Sequence, residues 1–147
     1  TARHPIVGPK HTAEYFRNSL LALFEPDNGF DVHYLVGLLN SRLIRFLYKT
    51  AVHESAQASF PQVKVGSLRD LPIIWPDWND DQQREAYELI VASVRELLDL
   101  HRGDSLADRK RERQSPTLEQ LERRIDECVL VIYGLDEDAR DDLFSTE

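Results

Sequence analysis

The spacing of large apolar residues between Phe30 and Pro72 constrains this chain more than any other feature. Leu35, Leu38, Leu39, Leu43, Phe46 and Leu47 recur at i, i+3 and i+4. That is the period of a helix with one buried face. Asp31 stands where an N-cap acceptor belongs, and Phe30 and Leu35 then fall at the two positions of a hydrophobic staple. The spacing predicts a leucine-rich helix with all six residues in the core. On another face, Arg42, Arg45 and Lys49 follow one another at i, i+3 and i+7. A solvated helix face gives the same stripe, and charge stripes are common.

The segments on either side read as strands and turns. Ile6-Val7 is closed by Gly8-Pro9, and the apolar run Leu20 to Phe24 ends at the turn cluster Pro26-Asp27-Asn28-Gly29. Ala51 to Ser59 is small and polar, which predicts a loop. Val63 and Val65 alternate with Gln62 and Lys64 as in a half-buried strand. Ser67 can cap one helical turn. Leu71-Pro72-Ile73-Ile74 reads as an edge strand or extended segment, because proline cannot donate to a ladder.

Beyond the hinge-like Trp75-Pro76-Asp77-Trp78-Asn79 the pattern becomes helical. Tyr87, Ile90, Val91, Val94, Leu97, Leu98 and His101 form one stripe; Leu118, Leu121, Ile125, Cys128, Val129 and Ile132 form a second. Ser115-Pro116-Thr117 separates them, Thr117 with Gln120 fits a capping box, and Gly134 sits at a C′ position. Asp136 can cap a last short helix to Phe144. The expected architecture is α+β: a small mixed sheet packed on a leucine-rich helix, followed by an antiparallel α-helical hairpin. The expected division is residues 1–75 and residues 76–147.

Charge separates the two parts. Residues 1–75 carry eight Lys+Arg against six Asp+Glu, whereas residues 76–147 carry ten against twenty, within a net charge of −8. A polyanion meets repulsion from the second part and tolerance only from the first. The single cysteine, Cys128, excludes an internal disulfide framework and fits a reducing, cytoplasmic setting. No apolar run reaches the roughly 20 residues of a membrane span. The missing initiator methionine suggests a piece of a longer protein.

Catalytic patterns are absent from the sequence. It has no Gly-rich phosphate loop, no metal-spaced Cys/His cluster and no Asp/Asn-Pro-Pro-aromatic motif of an amino-methyltransferase. Lys64 has no acid within Gln62 to Ser67, so a restriction-nuclease centre fails there too. What remains is binding. Arginine and lysine suit phosphates and guanine edges, and glutamine suits adenine. The candidates are Arg3, His4, Lys10, His11, Arg17, Arg42, Arg45, Lys49, His53, Gln57, Gln62 and Lys64.

Tyr34-Leu35-Val36-Gly37-Leu38-Leu39-Asn40-Ser41-Arg42-Leu43, then Phe60-Pro61-Gln62-Val63-Lys64-Val65, then Leu68-Arg69-Asp70-Leu71-Pro72-Ile73, resembles the TaqI-like C-terminal specificity domain. Tyr15 to Leu20 looks like the strand before the leucine-rich helix there, and Ile125 to Leu135 is similar to the family's closing helix. The resemblance implies the target-recognition part of an N6-adenine DNA methyltransferase or fused restriction–modification enzyme, non-catalytic by itself. It implies double-stranded DNA and an upstream methyltransferase domain as partners. S-adenosylmethionine, and Mg where an endonuclease is fused, would belong to the parent enzyme, so no cofactor is expected here. In such enzymes the target adenine is flipped out of the duplex. Duplex DNA would meet residues 3–18, the Arg42, Arg45 and Lys49 stripe and residues 51–64. Asn40, Ser41, Pro61 and Pro72 match the scaffold positions. The rival reading is a protein-interaction module that dimerises through the helical hairpin, without direct DNA contact.

Overall fold

The computed structural model describes residues 29, 31–55, 65–102, 117–136, 138 and 141. Among the described residues five helices follow in order: α1 (Val32–Asn40), α2 (Arg42–Ser55), α3 (Val65–Arg69), α4 (Asp81–Arg102) and α5 (Leu118–Ile132). Among the described residues there is no strand. The expected mixed sheet on a leucine-rich helix is therefore corrected to an all-helical arrangement. Ile6-Val7, Leu20 to Phe24 and Val63 lie outside the described residues, while Val65 opens α3 where a strand was expected.

Residues 71–76 show why an extended segment here needs no sheet. The chain runs without helix from Pro72 to Pro76. Its carbonyls find side-chain donors: the Tyr34 hydroxyl donates to Ile74 O at 2.7 Å, and the Tyr133 hydroxyl to Pro72 O at 2.5 Å. Hydrogen bonds that a neighbouring strand would have supplied come from tyrosines on α1 and just beyond α5. The segment is a strap across the helices. Aromatic rings hold its far end, with Tyr34 4.9 Å from Tyr87 and 5.8 Å from Trp75, and Trp78 edge-on to Tyr87 at 5.1 Å.

One core draws on both sides of Trp75. Tyr34, Leu38, Ile44, Leu71, Ile90, Val94, Ile125 and Val129 belong to it. Tyr34, Leu38, Ile90, Leu121 and Val129 are wholly buried, each worth about 1.5–3 kcal/mol in apolar area. Helices α4 and α5 pack on each other, and α1 packs on α4. Gly37 sets the closeness of that approach. A Cβ there would stand 2.6 Å from Ile90 Cγ2 and 3.0 Å from Val94 Cγ2.

Most local signals behave as the sequence reading expects, but α2 runs on through residues 51–55 where a loop was expected, and Ser67 lies inside α3 instead of capping it. Asp31 caps α1, its side chain accepting from the His33 amide at 2.9 Å. Thr117 and Gln120 form a reciprocal capping box at the start of α5. Asp80 accepts from Gln82 and Gln83 amides and caps α4. Gly134 has φ 63°, and the Gly134 and Leu135 amides bond back to Val131 and Leu130, the Schellman arrangement that favours glycine. Most of the expected last helix to Phe144 lies outside the described residues.

The leucine-rich helix is two helices. Ser41 adopts extended geometry (φ −63°, ψ 156°) between α1 and α2. Its hydroxyl donates to Leu38 O at 2.7 Å and accepts from the Ile44 amide at 3.3 Å, so it ends α1 and caps α2. The interruption resets the helical phase. Among the described side chains of α2 the buried set becomes Leu43, Ile44 and Tyr48, and Phe46 turns outward with 46% of its surface exposed. Phe46 is thus removed from the predicted core, and Leu35, only part-buried, does not belong to it either.

Candidate nucleic-acid interface

Helix α2 carries the three described cations of the candidate set. At 100° per residue Arg42, Phe46 and Lys49 fall within about 60° of one another, roughly opposite Leu43, Ile44, Leu47 and Tyr48. Lys49 is exposed. Arg42 and Arg45 have structural ties as well. The Arg42 amide donates to Asp126 Oδ1 at 2.8 Å, and its Nε lies 3.5 Å from Asp126 Oδ2. Arg45 donates through Nη2 to Asn40 O at 2.9 Å, and its buried Nε finds no hydrogen-bond partner among the described residues.

A carboxylate from α5 therefore caps the first amide of α2. An anion at a helix N-terminus is stabilising because the free amides and the helix dipole both favour negative charge. Asp126 is 8% exposed. Burial pushes its carboxyl above the ordinary aspartate range, against the Arg42 amide and the Arg42 and Arg45 charges, which pull it down; Glu122 adds to the rise. Arg42 keeps 40% of its side chain exposed, so one guanidinium both braces the α1–α2 junction and reaches solvent.

At the other end of α1, Asp31 ties the same unit to α4. Its amide donates to the Tyr87 hydroxyl at 2.9 Å, and its carboxylate pairs with Arg95 and with His33 Nδ1. Burial would raise this carboxyl, yet the His33 amide, the His33 ring and Arg95 together hold it below the ordinary value. Cys128, by contrast, sits in the core, where burial pushes its thiol up to about 11. That makes it a packing residue rather than a nucleophile.

The sequence-predicted set divides plainly. The structure describes the side chains of Arg42, Arg45 and Lys49 and brings them together on α2. His53 is in α2, with nothing described of its side chain. Arg3, His4, Lys10, His11, Arg17, Gln57, Gln62 and Lys64 lie outside the described residues. Sequence reasoning missed Asp126 and Phe46. Asp126 sits between Ile125 and Glu127 in a run rich in acids, where a solvated side chain is the ordinary expectation. Phe46 could be placed only by recognising Ser41 as a helix break.

Residues 2–73 match the family model of the TaqI-like C-terminal specificity domain. Those residues belong to that family. Within the specificity domain, the described part runs from the Asp31 cap through α1, α2 and α3 to the start of the strap. Membership gives it a role in DNA sequence recognition in restriction–modification systems. A specificity domain of this kind is consistent with a part that does not itself catalyse. No curated protein and no solved structure matches the chain. Among the described residues no group of His, Cys, Asp and Glu could hold a metal ion, and no helix is long and apolar enough to cross a membrane.

Proposed function

We propose that this chain is the C-terminal part of a specificity domain that positions and reads duplex DNA for an S-adenosylmethionine-dependent N6-adenine methyltransferase or restriction–modification enzyme in the cytoplasm. The family match over residues 2–73 carries this reading. The chain grips DNA, while S-adenosylmethionine, and Mg where a nuclease is fused, act on other parts of the enzyme. The outward side of α2, led by Lys49 with Arg42 beside it, faces the phosphates. Arg3, His4, Lys10, His11, Arg17, Arg45, His53, Gln57, Gln62 and Lys64 complete the proposed contact set. The acid-rich residues 76–147 stay off the phosphates and pack toward the rest of the enzyme, since a polyanion is repelled by their charge.

Lys49 offers the cleanest test, because no packing or capping role is attached to it. Lys49→Ala should weaken binding to duplex DNA and lower the slope of log affinity against log salt by about 1, the signature of one lost phosphate contact. Unchanged affinity together with an unchanged slope would take Lys49 out of the interface. Substituting Arg42 or Arg45 would also disturb the helix junction, so those variants report on two things at once.

A further inference from the structure

The most anomalous side chain on the outward face of α2 is apolar. Phe46 is 46% exposed, one helical turn from Arg42 and three residues before Lys49. Its neighbour Leu47 packs against the core, and Leu43, Ile44 and Tyr48 are in it. The exposure is therefore a property of one face and not of a loosely held helix. From Val32 to His53 the sequence holds no Asp or Glu; of the cations beside Phe46, Lys49 is exposed, and Arg42, though paired with Asp126 of α5, keeps 40% of its side chain exposed. Covering the exposed part of this ring with a partner would remove apolar area from water. Placed among cations that suit phosphate, it matches a ligand with an anionic rim and an apolar interior edge.

We infer that Phe46 is a DNA-contacting residue: its ring packs against the sugar and base edge of the duplex while Arg42 and Lys49 hold the flanking phosphates. This rests on the DNA-binding reading above and adds a residue to it. Duplex DNA offers this combination, since phosphates border each groove and thymine methyls and deoxyribose faces lie inside it. A contact of this kind is insensitive to salt. It therefore separates from the cation contacts in a single titration.

The experiment compares the wild-type chain with Phe46→Ala, Phe46→Leu and Lys49→Ala on a fluorescein-labelled duplex of mixed sequence, by anisotropy at several salt concentrations starting from low ionic strength. Phe46→Ala should weaken binding about tenfold with the salt slope of the wild type, and Phe46→Leu should fall between the two. Lys49→Ala should lose affinity with a reduced slope. Thermal melts of the Phe46 variants should stay close to wild type, because the ring lies outside the core. If Lys49→Ala weakens binding and Phe46→Ala does not, the inference about Phe46 is overturned while the DNA-binding reading stands. If Phe46→Ala alters the salt slope, or leaves DNA affinity unchanged but shifts the sedimentation mass, Phe46 serves another contact and the inference fails. If the wild-type chain does not bind the duplex, both fall.

Discussion

Helix α2 and helix α5 meet at Asp126, and they treat charge in opposite ways. The α1–α2 segment carries almost no acid and leaves Lys49, part of Arg42 and the ring of Phe46 in solvent. On α5, Glu119, Glu122, Arg123 and Arg124 are exposed, with Arg123 spanning one turn to Glu127. Yet its one buried acid reaches across to cap α2. The acid-rich part thus does more than stay clear of a polyanion. It supplies the carboxylate that accepts from the first amide of α2, just after the break at Ser41.

Breaking the joint between the two parts should have the largest effect. Tyr34 is wholly buried, stacks on Tyr87 and donates to Ile74 O, so it belongs to both. Tyr34→Ala should cost about 3–5 kcal/mol in denaturant unfolding. Tyr34→Phe, which loses only the hydroxyl bond, should cost about 1 kcal/mol. Gly37→Ala comes next. Its new methyl would press on the β-branched Ile90 and Val94, with an expected cost of about 1–3 kcal/mol, partly offset by the roughly 1 kcal/mol helix preference of alanine.

Asp126 sharpens the comparison. Asp126→Ala leaves the first amide of α2 uncapped and should cost about 1–2 kcal/mol. Asp126→Asn should cost less, because its amide oxygen can still accept from Arg42. The two capping carboxylates, Asp126 buried and Asp31 part-buried, also predict opposite pH slopes. Asp126 binds its proton more tightly folded than unfolded, so its contribution to stability falls as pH rises from the ordinary value of 3.8 through its raised folded value. Asp31 is held low when folded, so its contribution is present above 3.8 and is lost as pH falls through its lower folded value. Urea midpoints measured from acid to neutral pH should therefore lose a falling component in Asp126→Asn and a rising component in Asp31→Asn. The same slope change in both variants would contradict this assignment.

The smallest effect should be a gain. Ser93 is buried on α4 and its hydroxyl finds no hydrogen-bond partner among the described residues. Ser93→Ala removes a desolvated hydroxyl and adds a better helix former, and should stabilise by about 0.5–1 kcal/mol. A destabilised Ser93→Ala would mean that the hydroxyl is satisfied after all.

These particulars show what the sequence could reveal. Asp31, Thr117 with Gln120, and Gly134 were legible because a cap is a local event, settled within three or four residues. The apolar stripes of α4 and α5 were legible for the same reason, except at Leu118, which stands in the first turn of α5 and is 46% exposed. The strap was legible as an extended segment, but not what satisfies it: its donors, Tyr34 and Tyr133, lie 40 and 61 residues away, and no local pattern announces them. Phe46 was misplaced because periodicity was carried through Ser41 as though the helix continued. Of the candidate interface, the cations on α2 could be read from spacing. The double duty of Arg42 could not, because it depends on Asp126, 84 residues downstream.

The central claim is that DNA lies on the outward face of α2 and not on the acid-rich helices. Covalent footprinting of the chain by hydroxyl radicals, with and without saturating duplex DNA, tests it residue by residue. Phe46 on α2 should become protected when DNA is added, while the exposed Leu89, Leu118 and Val131 on α4 and α5 keep their reactivity. Protection of those three residues with Phe46 unchanged would contradict the account.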